Sequence, residues 1–164
     1  PTISCTGHSL VKAKLRETGA PFAGEMSGHL FFNDGRWPGF DDGVYAGARI
    51  LEILSREADP SAALEALPSA VNTPELQIRM AEGENKAFIA RLQKEARFDD
   101  ALDVITIDGV RVEWNDGFAL ARSSNTTPVV VLRLEGDTPE ALERIKKTFA
   151  EVLLKVEPSL ELPF

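Results

Sequence analysis

The sequence predicts two units of different class, an α/β segment followed by an α+β unit with an antiparallel sheet and helices on one face. Three observations lead there. A strand–turn–helix order opens the chain at residues 2–18. A proline-bracketed stretch, Pro68-Ser69-Ala70-Val71-Asn72-Thr73-Pro74, then interrupts all helix-period patterning and reads as a linker. After it the grammar becomes β-α-β-β-β-α, closing on a long amphipathic helix.

Thr2–Cys5 is a β-leaning run, turned by Thr6-Gly7-His8, with Ser9 as the expected N-cap. Leu10, Val11 and Leu15 mark the apolar face of a helix to about Thr18, stopped by Gly19 and Pro21. This order places His8 at the carboxyl end of a strand, where open α/β sheets present ligand-binding groups. Leu30-Phe31-Phe32 is a short strand and Asn33-Asp34-Gly35 a turn. Asp41-Asp42-Gly43 opens a helix with Val44, Ala48, Leu51 and Leu54 at helical spacing, its carboxylates set for capping or for a ligand. Pro60–Leu67 is another short helix.

In the second half, Glu75–Met80 alternates as a strand, and Lys86–Arg97 carries Phe88, Ile89 and Leu92 as a helical face. Ile105–Ile107, Asp108-Gly109 and Val110–Val112 predict a hairpin with a two-residue turn. Asn115-Asp116-Gly117 turns the chain into Phe118–Ala121, and Val129–Leu134 is an apolar strand. Pro139–Val156 is a helix with Leu142, Ile145, Phe149, Val152 and Val156 on one stripe.

Composition narrows the function. A chain of 164 residues with 43% hydrophobic and 27% charged residues is an ordinary globular sequence. A net charge of −8 argues against a nucleic-acid surface, which needs a basic stripe. No apolar run approaches transmembrane length and no signal-peptide pattern is visible, so no membrane partner is expected. A single cysteine, Cys5, has no internal disulfide partner, and a cytoplasmic setting is the expectation. The chain begins Pro1-Thr2-Ile3 without a methionine and reads as a piece of a longer protein.

Two polar stretches carry the chemistry. Gly24-Glu25-Met26-Ser27-Gly28-His29 packs a carboxylate, a hydroxyl and an imidazole between glycines. If the segment is extended, Glu25, Ser27 and His29 alternate onto one side, a set suited to the vicinal hydroxyls of a sugar. Arg122-Ser123-Ser124-Asn125-Thr126-Thr127-Pro128 lies between two strands. Its guanidinium fork, hydroxyls, amide and backbone N–H groups match the oxygens of a phosphate. Together they suggest one ligand with hydroxyls at one part and a phosphate at another, a sugar phosphate. A four-ligand zinc site on Cys5, His8, Glu25 and His29 is the competing reading.

These two stretches and Thr6-Gly7-His8-Ser9-Leu10 occur here in the order and spacing of the α-D-phosphohexomutase family, which the chain resembles from end to end. Within it the match is to the bacterial phosphomannomutase/phosphoglucomutase branch. Met26 favours that branch over phosphoglucosamine mutase, the alternative. The resemblance implies that residues 1–68 are the latter part of the family's third domain, with its sugar-binding loop. Residues 69–164 are then the whole fourth domain, a TATA-binding-protein-like unit with the phosphate-binding loop.

It further implies a reaction that interconverts hexose 1-phosphate and hexose 6-phosphate, of glucose or mannose. The route is a phosphoserine and a hexose 1,6-bisphosphate that serves as intermediate and activator. Glu25, Ser27 and His29 would hold the sugar, and Arg122, Ser124, Asn125 and Thr126 the non-reacting phosphate. His8 resembles the family's active-site histidine. The phosphoserine and the Asp-rich loop for Mg²⁺ belong to N-terminal domains of the same enzyme, and no Asp-Gly-Asp-Gly-Asp-type loop occurs here. No metal ligand is therefore expected in this chain, which alone would be inactive. A non-catalytic sugar-phosphate-binding module is the reading from a different class.

Overall fold

The computed structural model describes residues 2–164. The chain divides into two compact units, one ending at Pro68 and one running Ser69–Phe164.

In the first unit, helix α1 (His8–Thr18) buries Val11 and Leu15 against Phe31, which is fully buried. The helix ends where Gly19 takes the left-handed conformation, φ 65°. Two expectations fail at its start. Residues 2–5 form no strand, because no partner strand among the described residues offers them a ladder. Gly7, not Ser9, is the N-cap, and Ser9 falls inside the first turn. His8 therefore opens a helix rather than ending a strand.

Strands β1 (Phe22–Gly24) and β2 (Leu30–Phe32) pair antiparallel, with Phe22 opposite Phe32 and Gly24 opposite Leu30. Helix α2 (Gly43–Leu54) starts on Asp42, whose carboxylate accepts from the N–H groups of Val44 and Tyr45, both at 2.9 Å. The capping role expected for this acidic pair thus belongs to Asp42. Helix α3 (Pro60–Glu65) is capped in the same way by Asp59.

The second unit is one antiparallel sheet with two helices. Its strands are β3 (Val71–Asn72), β4 (Leu76–Arg79), β5 (Asp103–Ile105), β6 (Val110–Trp114), β7 (Gly117–Ser123) and β8 (Val129–Gly136). They lie in the order β3-β8-β7-β6-β5, and β4 also pairs with β8. Helices α4 (Glu84–Glu95) and α5 (Pro139–Val156) supply Phe88, Leu92, Ile145, Phe149 and Leu153 to one core. Facing them are Val110 and Val112 of β6, Ala119 and Ala121 of β7, and Val130, Leu132 and Leu134 of β8. Along β6, β7 and β8 it is every second residue that joins this core, as the pleat requires.

Three local expectations are corrected in this unit. Part of the proposed linker is structured, since β3 pairs with β8 and the buried Thr73 donates its N–H to the Leu134 carbonyl at 2.9 Å. A two-residue strand is too short to show alternation in a sequence. Helix α4 begins two residues earlier than its apolar spacing indicated. The β5–β6 hairpin pairs Ile105 with Arg111, so residues 106–109 connect its strands rather than two residues, and Gly109 turns the chain back at φ 96°.

The C-terminal residues return to this core through Leu160, Leu162 and Phe164. Glu157 anchors them. Its carboxylate accepts from Arg91 Nη2 at 2.7 Å and from Ser159 Oγ at 2.7 Å. The Arg91 hydrogen bond, then those of Ser159, hold its pKa down to about 2 from the usual 4.5. A carboxylate depressed in the folded state contributes stability above its unfolded pKa and loses it as pH falls through the folded one. Residues 158–164 are therefore expected to lose hydrogen-exchange protection between pH 4.5 and about 2. In Glu157→Gln that acid step should be absent.

Candidate functional site

The glutamate loop is the connection of the β1–β2 hairpin. Its ends are closed by the Glu25 N–H donating to the His29 carbonyl at 2.9 Å, and the Gly28 N–H donates to the Glu25 carbonyl at 3.0 Å. Gly28 sits at φ 91°, a conformation that favours glycine. The segment is a tight turn and not extended, so alternation does not set the directions of Glu25, Ser27 and His29. Their partners do so instead.

Glu25 Oε1 accepts the Gly7 N–H at 2.6 Å. Gly7 is the N-cap of α1, and its neighbour His8 is the first helical residue, exposed at the helix start. The carboxylate thus satisfies a backbone donor at a helix N-terminus, where negative charge is favoured. Two motifs 18 residues apart are joined by this bond. His29 Nδ1 lies 2.8 Å from Asp41 Oδ2. In the neutral ring Nδ1–H donates to that carboxylate, which leaves Nε2 as the acceptor. Ser27 is exposed, and Met26 stands 68% exposed at the tip. The loop therefore presents a hydroxyl, a carboxylate and an oriented imidazole on a braced turn. Asp41, read from the sequence as a capping or ligand-binding carboxylate at a helix start, is the residue that orients His29.

The arginine stretch is divided between strand and loop. Arg122 and Ser123 are the last residues of β7, and Arg122 is paired with Val131 of β8. Residues 124–128 make the connection. Ser124 organises it: its Oγ accepts from the N–H groups of Thr126 (3.3 Å) and Thr127 (3.2 Å) and from the Thr127 hydroxyl (2.9 Å). This is a side-chain-mediated turn of the kind serine favours. The carbonyls of Ser124, Thr127 and Val129 are taken by the side-chain amide of Asn85 on α4. Asn125 and Thr126 are exposed. The half-buried Arg122 has neither an ion-pair partner nor a side-chain hydrogen bond among the described residues.

Gly109, at the tip of the β5–β6 hairpin, lies against the backbone of Arg122. A Cβ built there would come within 2.8 Å of the Arg122 Cα. The strand that carries the guanidinium is thus packed from its neighbour as well as hydrogen-bonded.

Among the described residues, no three His, Cys, Asp or Glu side chains converge to hold a metal ion. The zinc reading on Cys5, His8, Glu25 and His29 is not formed, because Glu25 is directed to Gly7 and His29 to Asp41. No helix among the described residues is long and apolar enough to cross a membrane.

Two family models match the chain. Residues 2–71 fit the model "Phosphoglucomutase/phosphomannomutase, alpha/beta/alpha domain III", and residues 75–152 fit "Phosphoglucomutase/phosphomannomutase, C-terminal domain". A phosphoglucomutase of Neisseria gonorrhoeae is 55% identical over 149 residues, covering 90% of this chain and 32% of the relative. A phosphomannomutase/phosphoglucomutase of Pseudomonas aeruginosa is 51% identical over 165 residues, covering 100% of this chain and 35% of the relative. The crystal structure of a phosphoglucomutase/phosphomannomutase family protein from Burkholderia thailandensis matches with a TM-score of 0.92 at 62% identity. It covers 100% of this chain and 34% of that one. The chain spans about a third of the length of these relatives. With both units matched in order and the fold shared throughout, the chain belongs to the phosphoglucomutase/phosphomannomutase family, of which it comprises domain III sequence and the C-terminal domain.

Proposed function

We propose that this chain is the substrate-binding part of a phosphomannomutase/phosphoglucomutase acting on glucose and mannose 1- and 6-phosphates. Phosphoryl transfer depends mainly on positioning and on stabilising charge. In the reaction, the phosphoryl group of a phosphoserine passes to the free hydroxyl of a hexose monophosphate, giving the 1,6-bisphosphate. The sugar turns over, and the other phosphate returns to the serine. One loop must therefore hold whichever phosphate is not reacting. Arg122, Ser124, Asn125 and Thr126 fill that role, while Glu25, Ser27 and His29 hold sugar hydroxyls in both orientations. Contacts to an equatorial pair such as O3 and O4 survive the turnover, and they tolerate glucose and mannose alike because the two differ at O2. His8 is the candidate proton carrier beside the reacting hydroxyl.

The observation that carries this reading is Arg122. In a chain with 26 acidic and 18 basic residues, it stands without a carboxylate partner among the described residues and at the head of a turn built from hydroxyls. An arginine left unpaired in an acidic chain is suited to an external anion. The phosphoserine and the Mg²⁺ that assists transfer are assigned to the enzyme's other domains, and the cytoplasm is the proposed setting. The test is conversion of glucose 1-phosphate and mannose 1-phosphate to the 6-phosphates by the full-length protein, stimulated by the 1,6-bisphosphate. Conversion of both supports the mutase. Binding without conversion of either would leave a non-catalytic sugar-phosphate module.

A further inference from the structure

We propose that Asn85 is a positioning residue for the loop after β7, holding its carbonyls inward so that its donors face the ligand's phosphate. The inference rests on the reading of residues 122–127 as the phosphate loop and adds a residue to it that never touches the ligand.

Asn85 is only 3% exposed, one of two buried polar residues among those described, the other being Thr73. A buried side-chain amide is unfavourable unless it is hydrogen-bonded. Asn85 is well bonded, and almost wholly to one distant loop. Its Nδ2 donates to the carbonyls of Ser124 (3.2 Å), Thr127 (3.3 Å) and Val129 (3.2 Å). An amide has two N–H groups, so three acceptors share them. Its Oδ1 accepts the Lys86 N–H at 2.9 Å, which fixes the amide's orientation. Asn85 is the second residue of α4 and precedes Phe88, Ile89 and Leu92 on that helix's buried face. The amide therefore projects from a packed helix, and its reach does not depend on the loop.

The consequence for an anion follows from charge. Carbonyl oxygens carry partial negative charge and repel phosphate, whereas N–H and O–H groups attract it. A five-residue connection has few ways to segregate the two. Here the carbonyls at both ends of the loop are gathered beneath it by Asn85. The exposed side is left to the Asn125 amide, the Thr126 hydroxyl and the neighbouring Arg122. The Thr127 and Val129 carbonyls also accept the N–H groups of Val129 (2.8 Å) and Ser124 (2.9 Å), whereas among the described residues the Ser124 carbonyl is held by Asn85 alone, and only Asn85 ties all three together.

The test is calorimetric titration of the full-length enzyme with glucose 1-phosphate, using wild type, Asn85→Asp, Asn85→Ala and Arg122→Ala. Asn85→Asp keeps the shape but sets a carboxylate against three carbonyls, and Asn85→Ala removes the donors. Stoichiometry reports the folded fraction, while Kd reports the site in the molecules that are folded. Both Asn85 variants are expected to raise Kd roughly tenfold or more, the scale of a displaced contact set. In turnover the loss should fall on KM more than on kcat. A wild-type Kd in both variants, or no folded fraction in either, would make Asn85 purely structural and overturn the inference. Arg122→Ala separates the two claims. If it alone loses affinity, only the positioning role fails, and if it too keeps the wild-type Kd, the phosphate-loop reading has failed.

Discussion

Arg122→Ala is expected to weaken hexose-phosphate binding by ~1–3 kcal/mol, roughly fivefold to 150-fold in KM or Kd. The guanidinium has no partner within the described residues that would rearrange to compensate, so the substitution removes a ligand contact and little else. Arg122 belongs to a strand paired on both sides, with Val110–Ala121 as the next register pair toward β6 and Val131 opposite on β8, so the backbone should hold its place without the side chain. The melting temperature is accordingly expected to stay near wild type. Arg122→Lys should recover only part of the affinity, because an ammonium cannot make two parallel hydrogen bonds to a phosphate. Steady-state kinetics in the full-length enzyme reads this directly. An unchanged KM in Arg122→Ala would remove the residue from the site.

Glu25→Ala should lower kcat/KM by roughly tenfold to a hundredfold for glucose and mannose substrates alike, the loss expected for a charged hydrogen bond of ~1.5–3 kcal/mol. In the structure Glu25 accepts the Gly7 N–H at 2.6 Å, bracing the start of the helix that carries His8. The proposed function adds a second duty, as an acceptor for sugar hydroxyls. Truncation therefore disturbs the sugar loop and the start of α1 together. Glu25→Gln keeps an acceptor for Gly7 and should retain more activity than Glu25→Ala. A loss confined to one sugar would contradict contacts made through hydroxyls that glucose and mannose share.

Strong local signals carried much of the fold. The stripe Leu142, Ile145, Phe149 and Val152 marked α5 because an 18-residue amphipathic helix repeats its pattern several times. Asn115-Asp116-Gly117 marked the β6–β7 turn, and Trp114 indeed pairs with Gly117. Short elements were not legible. Phe22–Gly24 and Val71–Asn72 are too brief to alternate; the first is seen only as one arm of a hairpin with Leu30–Phe32, and the second only because the distant β8 pairs with it. The same limit hid the hairpin around Glu25–His29, whose side chains were expected on one face of an extended run.

At the candidate site, residue types were readable and their partners were not. Glu25 with Gly7, His29 with Asp41 and Asn85 with the loop after β7 are all tertiary contacts. For Asn85 a signal did exist. It stands at i relative to Phe88, Ile89 and Leu92 at i+3, i+4 and i+7, a polar residue on an apolar stripe. A polar residue on such a stripe has to find a partner inside the protein.

The most direct measurement is calorimetric titration of the full-length protein with three ligands in turn: glucose 1-phosphate, free glucose and inorganic phosphate. The account predicts saturable binding of glucose 1-phosphate, with glucose and phosphate each at least roughly a hundredfold weaker, since linking two weakly held parts adds their binding energies. Inorganic phosphate binding as tightly as glucose 1-phosphate, or glucose 1-phosphate failing to bind, would contradict a site that reads sugar and phosphate together.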